Sequence, residues 1–287
     1  DTSEDLRGSR WSAISKATSR SQFLVSNRKN QILDSIPQEN KEKAANLLSN
    51  LKEELNKLGE IANEKNKVSF LNLRRQSLKT IDDIESLLIT NNFPYKIPSE
   101  YDNLPRLLGR ANVEIKTSKG NMTAIIDGYN APLTSGAFID LSLKGFYDGL
   151  PINRAEEFFI LQTGDPKGEA IGYVDPDTNE LRKVPLEIRT PNLEDTLYGE
   201  TFEDVGLYTE SPILPFATLG TLGWAHSDSD LNDGSSQFFF FLYEAELNPA
   251  GRNLIDGRNA AFGYVVEGSE ILNKLGVDDK IIAIKVL

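Results

Sequence analysis

The chain has 287 residues, 39% hydrophobic and 26% charged, an ordinary balance for a globular protein of about two domains. It has no cysteine and one histidine, which excludes disulfides, a thiol nucleophile, Cys-ligated zinc and any multi-histidine metal site; a Ser-His-Asp triad would have to use His226. The net charge of −12 argues against nucleic-acid binding through a basic face, and no apolar run approaches the roughly 18–20 residues of a membrane span.

The opening DTSEDLRGSR has no signal-peptide core, and the sequence leaves open whether one was removed. Residues 1–110 carry 18 Lys/Arg against 15 Asp/Glu, whereas residues 111–287 carry 13 against 28. Glycines split 3 to 18 and aromatics 6 to 19 across the same boundary. A helical domain followed by a β-rich domain is the expected organisation.

In the first part, Ala44, Leu48, Leu51, Leu55, Leu58 and Ala62 recur at spacings of four and three, the seam of a helix that packs on helices. Pro37 stands where its first turn would start and Gly59 lies near its end. Leu71, Leu78, Ile81, Ile84 and Leu88 mark another helix ending near Asn91 and Asn92. Trp11, Ile14, Thr18, Val25, Ile32 and Ile36 suggest one or two more before it. Short connections predict antiparallel neighbours, hence a bundle of three or four helices, with a coiled-coil dimer as the alternative. In residues 91–111, Pro94, Pro98 and Pro105 forbid a continuous helix, while Phe93, Tyr95, Ile97, Tyr101, Leu104, Leu107 and Leu108 are too apolar for a free tether. An extended segment laid across a surface is expected, against a flexible linker.

Beyond Ala111 strands dominate. Residues 113–117 and 122–126 read as a hairpin turning at Ser118–Asn121, and 131–143 as a helix. Residues 158–162, 237–242, 260–266 and 281–287 read as further strands. Many short strands, glycine turns and few helices suggest a closed β-barrel.

Tyr147-Asp148-Gly149-Leu150-Pro151-Ile152-Asn153-Arg154 followed by Phe159-Ile160-Leu161-Gln162-Thr163-Gly164-Asp165 resembles the cyclophilin pattern Y-D-G-x-x-F-H-R … F-x-x-Q-G-G-D. Ser236-Gln237-Phe238-Phe239-Phe240 is similar to its S-Q-F-F-I, and residues 253–263 to its closing L-D-G-x-x-x-x-F-G stretch. The blocks occur in family order across about 112–287. The helical front and the Phe93-Pro94-Tyr95 … Ile97-Pro98 junction resemble the two-domain cyclophilins of the thylakoid lumen. The resemblance implies an α+β multidomain chain: an antiparallel helical bundle over 1–92, a docked proline-rich linker over 93–111, and over 112–287 an eight-stranded cyclophilin-like barrel capped by helices, with an acidic insertion at about 165–215.

It also implies peptidyl-prolyl isomerisation without cofactor or metal. The amide barrier of about 18–20 kcal/mol comes from resonance, so no covalent step is required. A cationic donor aimed at the prolyl nitrogen favours the resonance-broken state, and by position that donor is Arg154. Phe159, Ile160, Phe239 and Ile255 would line the proline pocket; Gln162 and Gln237 would steer Arg154 and the substrate backbone; Ala225 and His226 would offer backbone groups to an extended peptide. The sequence departs from the pattern at Ile152 and Asn153 for F-H, at Thr163 for a glycine, at Leu254 for a rim aromatic and at Asn259 for a rim histidine. A pocket that binds proline with a weakened rim follows, which leaves room for slow turnover.

The stretch from Asp165 to Pro215 holds 12 Asp/Glu, 4 Lys/Arg and 6 of the 13 prolines, and reads as a solvated excursion or a docking surface, the former favoured. Asp175–Glu180 and Asp228–Asp233 imitate calcium loops but lack the sixth-position glycine and the twelfth-position glutamate, and read as turns. The resemblance implies proline-containing clients, photosystem subunits among them, in a thylakoid lumen or periplasm, with the bundle in intramolecular contact with the barrel. The rival reading is a non-catalytic chaperone or scaffold that holds a partner's proline loop.

Overall fold

The computed structural model describes residues 2, 5, 6, 8–88, 93–166, 168, 171–243 and 255–287, with residue 82 described by its backbone alone. The chain divides into two compact units, Asp1–Asn92 and Phe93–Leu287. No helix among the described residues is long and apolar enough to cross a membrane.

The first unit has three long helices, α1 (Trp11–Asp34), α2 (Lys41–Glu64) and α3 (Lys67–Ser86). Residues 11–34 form one helix, and α2 starts later than Pro37 because a 3-10 turn, Gln38–Asn40, intervenes. All six residues of the predicted α2 seam are buried. Pairs at falling and rising positions fix the antiparallel arrangement: Ser15 Oγ donates to Asn63 and Gln22 Nε2 to the Leu55 carbonyl, then Gln76 Nε2 to the Glu54 carboxylate and Asn40 Nδ2 to the Leu87 carbonyl. The buried stripes of the helices form one shared core, the intramolecular solution. On α3 the buried face is rotated from the predicted one. Phe70, Ser77, Thr80 and Ile84 point inward, while Leu78 is 44% exposed. Ser77 and Thr80 tolerate burial because their hydroxyls bond the carbonyls of Leu73 and Gln76. The helix ends at Ser86, short of the expected member Leu88 and of the expected end at Asn91–Asn92, two residues that lie outside the described ones.

The second unit begins with the proline-rich stretch, which is extended apart from one 3-10 turn, Ser99–Tyr101. Ile97, Tyr101, Leu104 and Leu107 pack against the barrel core, whereas Leu108 is exposed. The approach is close enough to require glycine beneath it. A Cβ on Gly136 would lie 2.3 Å from the Pro105 carbonyl oxygen.

Among the described residues eight strands form one antiparallel sheet: β1 (Arg110–Thr117), β2 (Gly120–Asp127), β3 (Ile152–Glu156), β4 (Ile160–Thr163), β7 (Thr221–Trp224), β8 (Phe238–Phe241), β9 (Ala261–Glu267) and β10 (Ile281–Val286), in the order β10-β1-β2-β9-β7-β8-β4-β3. The two remaining strands, β5 (Glu187–Ile188) and β6 (Leu197–Tyr198), pair with each other. The ends of the large sheet meet. The Gly149 N–H donates to Ile281 O, the Ile281 N–H to Leu150 O and the Ile152 N–H to Asp279 O, each at 2.9 Å. Phe138, Tyr147, Phe238, Phe240 and Phe262 fill the interior, and helix α4 (Pro132–Leu143) caps it with most of its residues buried.

Two expectations are corrected here. The strand predicted at 158–162 starts at Ile160, because Phe158, with φ +61°, and Phe159 make the β3–β4 turn. The 165–215 insertion is not a solvated excursion: it places Tyr173, Val184, Leu186, Ile188 and Phe202 in the barrel core. Its acidic side chains mask an apolar set that gives the segment something to bury.

Candidate active site

The site lies on the outside of the β3–β4–β8–β7 face. Strand alternation sends Phe238 and Phe240 into the barrel and Phe239 and Phe241 to the opposite face, where they meet Ile160, Phe216 and Ala261 in a second, smaller core. The rings of Phe239 and Phe216 stack with centroids 5.7 Å apart. Two members of this cluster, Ile160 and Phe239, floor an open pocket of about 640 Å³, lined also by Arg154, Phe159, Gln162, Ala225, His226, Ile255 and Asn259.

Residues predicted from four separate sequence blocks thus converge, with two qualifications. Gln237 does not line this pocket but an adjoining hollow of about 190 Å³, shared with Gln162, Ala225 and His226. Leu254 lies outside the described residues. The register sets Arg154 opposite Gln162 and Gln162 opposite Phe239, so donor, amide and floor follow from strand pairing alone. Gln162 Nε2 donates to Gln237 Oε1 at 2.7 Å, and Gln237 Nε2 donates to Asp165 Oδ1 at 3.0 Å and to the Ile171 carbonyl at 3.2 Å. Asn153 adds a third donor to this chain. Of the Ala225 backbone groups, the N–H donates to the Gln237 carbonyl at 3.0 Å. The His226 ring sits with Nε2 3.0 Å from the Arg258 carbonyl oxygen and 3.3 Å from Asn259 Nδ2, which fixes it at the wall.

Sequence reasoning missed the rim. Thr201, Glu203 and Asp204, from the acidic insertion, line the pocket together with Asp228, Leu231 and Arg258. Phe202 anchors that part of the insertion: it is buried, its N–H donates to the Gly257 carbonyl, and a Cβ on Gly257 would lie 2.6 Å from its ring. Thr201 and Asp204 cap each other reciprocally, and the Thr201 backbone and hydroxyl donors hold the Asp204 carboxyl below its ordinary range. The other rim pair joins Arg258 to Glu203 at 2.5 Å. The one available signal was Phe202, an aromatic inside an acidic run. No group of three or more acidic or histidine side chains placed to hold a metal occurs among the described residues.

Gly223, opposite Phe239, leaves the space that the floor occupies. A Cβ there would lie 2.2 Å from Phe239 Cζ and 2.8 Å from Phe216 Cε1. Gly223→Ala should therefore displace the Phe239 ring, lower stability by about 1–3 kcal/mol and weaken binding of a proline peptide. Urea unfolding and a peptide titration check both parts, and an unchanged peptide affinity would separate Phe239 from the binding surface.

A pocket with an aromatic and aliphatic floor and a cation at its mouth suits an uncharged ring whose flanking amide is to be polarised. Comparison with known proteins agrees. Residues 112–281 match the family described as "Cyclophilin type peptidyl-prolyl cis-trans isomerase/CLD", and residues 1–89 match "Peptidyl-prolyl cis-trans isomerase CYP38-like, PsbQ-like domain". The chain belongs to the cyclophilin-type peptidyl-prolyl cis-trans isomerase family. Among its relatives, the Synechocystis sp. protein sll0408, named as a thylakoid lumen peptidyl-prolyl cis-trans isomerase, is 43% identical over 100% of this chain and 76% of its own length. Peptidyl-prolyl cis-trans isomerase CYP38, chloroplastic, of Arabidopsis thaliana is 42% identical over 75% of this chain and 50% of its own length. The chain thus spans between half and about three quarters of these two relatives. A crystal structure of a Cryptosporidium parvum cyclophilin type peptidyl-prolyl cis-trans isomerase aligns with a TM-score of 0.44 and 22% identity, over 62% of this chain and 98% of that one.

Proposed function

We propose that the chain is a peptidyl-prolyl cis-trans isomerase of the thylakoid lumen that assists folding or assembly of photosynthetic membrane proteins. The observation that carries the enzymatic part is Arg154 at the mouth of a pocket floored by Ile160 and Phe239, with Phe216 stacked beneath Phe239 and Gln162 directly across the ladder. In this reading the proline ring sits on Phe239. An Arg154 N–H is directed at the prolyl nitrogen as its lone pair localises, and Gln162, held by Gln237, orients the peptide backbone. The donor is an arginine, a permanent cation, so it needs no proton transfer. The lumenal and photosynthetic parts rest on the relatives' names and on the PsbQ-like match of residues 1–89. A proline-isomerisation assay on the full chain tests the activity, and a rate equal to the uncatalysed one would reject it.

The second reading, a scaffold that holds a proline loop without turning it over, is favoured by one specific contact. Arg154 is not free at the pocket mouth but paired with Glu156. Peptide binding without rate acceleration in the same assay would decide for it.

We propose in addition that the helical unit docks on the barrel unit and limits access of bulky clients. Support comes from the excess of acidic residues after position 110 against the mildly basic front. Deleting residues 1–92 should then raise activity on a protein substrate more than on a tetrapeptide. Equal effects on both would reject the gating, and small-angle scattering from freely moving domains would reject the docking.

A further inference from the structure

We propose that Glu156 is a positioning residue that throttles the isomerase by holding the guanidinium of Arg154. This rests on the reading of Arg154 as the donor to the prolyl nitrogen. On β3, residues two apart share a face, so Glu156 stands beside Arg154; Arg154 lines the pocket, and Glu156 lies just outside its lining. The register places the two opposite Ile160 and Gln162, which both line the pocket. Arg154 Nε lies 2.7 Å, and Nη2 2.6 Å, from the same carboxylate oxygen, Glu156 Oε1. That oxygen takes one edge of the guanidinium fork and leaves the Nη1 edge for a ligand.

Two consequences follow from the chemistry. The carboxylate opposes the positive potential that Arg154 presents where the prolyl lone pair develops, and it competes with the peptide for two of the five N–H donors. Both side chains are about half exposed, 49% and 46%, so the pair is screened and readily broken. The throttle is therefore modest, and releasing it should raise kcat/KM up to about fivefold, the scale of an exposed ion pair. The other described rim arginine, Arg258, is likewise paired, with Glu203, so among the described residues no unpaired arginine at the mouth stands in for the held edge.

The test compares the full chain with Glu156→Gln, which keeps size and hydrogen bonding but removes the charge. For a neutral proline tetrapeptide, kcat/KM should rise two- to fivefold in the variant. Added sodium chloride should speed the unmodified chain and leave the variant unchanged. The ¹⁵N–¹H signal of Arg154 Nε, assigned by its disappearance in Arg154→Lys, should move on Glu156→Gln, and should move in the same direction when the peptide binds the unmodified chain. An unchanged or lower kcat/KM in Glu156→Gln, or the same salt response in both proteins, would overturn the throttle. A chain with no turnover would reject the isomerase reading by itself. The Nε signal would then decide the present proposal, since a peptide that leaves it in place shows that Glu156 withholds nothing from the ligand.

Discussion

Replacing Arg154 with alanine should lower kcat/KM for a proline tetrapeptide by about 10²–10³, the loss typical of removing one preorganised donor from a developing charge. The side chain stands at the pocket mouth, half exposed, and its ion pair with Glu156 is of the kind that contributes about 0–1 kcal/mol. The unfolding midpoint should therefore hardly move. The loss should fall mainly in kcat, because the interaction strengthens as the amide resonance breaks and is weak with the planar ground state. Arg154→Lys is the informative companion. A lysine keeps the charge but presents a point donor in place of a planar fork, so activity between that of alanine and arginine is expected. Stopped-flow isomerisation with peptide titration reads all three proteins. Equal turnover in Arg154→Ala would remove this residue from the mechanism and leave the apolar floor as a binding surface alone.

The parts of this chain that could be read in advance are those governed by a short period. The α2 seam from Ala44 to Ala62 repeats at helical spacing, and every member is buried. The core strands β8 and β9 carry enough apolar residues to announce themselves. By contrast, β3 reads Ile152-Asn153-Arg154-Ala155-Glu156, four of its five residues exposed, and it is a strand only because β4 pairs with it. In β7, glycine occupies the position that Phe239 needs empty, so local propensity points away from a strand where packing demands one. The pocket floor was legible because the family pattern ties its residues together. The rim was not, because Glu203 and Asp204 reach the pocket through Phe202, about 50 residues from Arg154 and Arg258 alike. Glu156 and Glu187 were invisible for a related reason. A glutamate in an acidic chain reads as solvated; that Glu156 holds Arg154 follows only once residues 152–156 are known to be a strand, and that Glu187 is sealed in the interior only from tertiary contacts.

That sealed carboxyl has the larger consequence for stability. Glu187, 1% exposed on β5, sits at the first turn of α4 and accepts from the backbone N–H groups of Leu133 at 3.1 Å and Thr134 at 3.0 Å. Desolvation by burial pushes its pKa from 4.5 to about 7, against the helix N–H donors and the Thr134 and Tyr198 hydroxyls, which favour the charged form. On the other side, burial and the nearness of Glu187 push the Tyr198 hydroxyl well up, so it stays neutral and offers no counter-charge. A folded-state value above the unfolded one means that the folded chain holds the proton more tightly. The stabilisation is fully present below about pH 4.5 and disappears as pH rises through about 7. The span of roughly two and a half units corresponds to about 3 kcal/mol. Other groups titrate with the opposite sign. Asp140 is held low because its hydrogen bonds from Lys144 and Arg182 outweigh its burial, and its contribution is lost toward acid. The difference between the unmodified chain and Glu187→Gln isolates the buried group. Urea unfolding at pH 5 and pH 8 should show the variant gaining about 2.5 kcal/mol on the unmodified chain between the two conditions. Glutamine, always neutral, still accepts from the α4 N–H groups. Parallel stability curves across this range would mean that Glu187 titrates alike in the folded and unfolded chain, and that the helix N-terminus solvates its charge as well as water does.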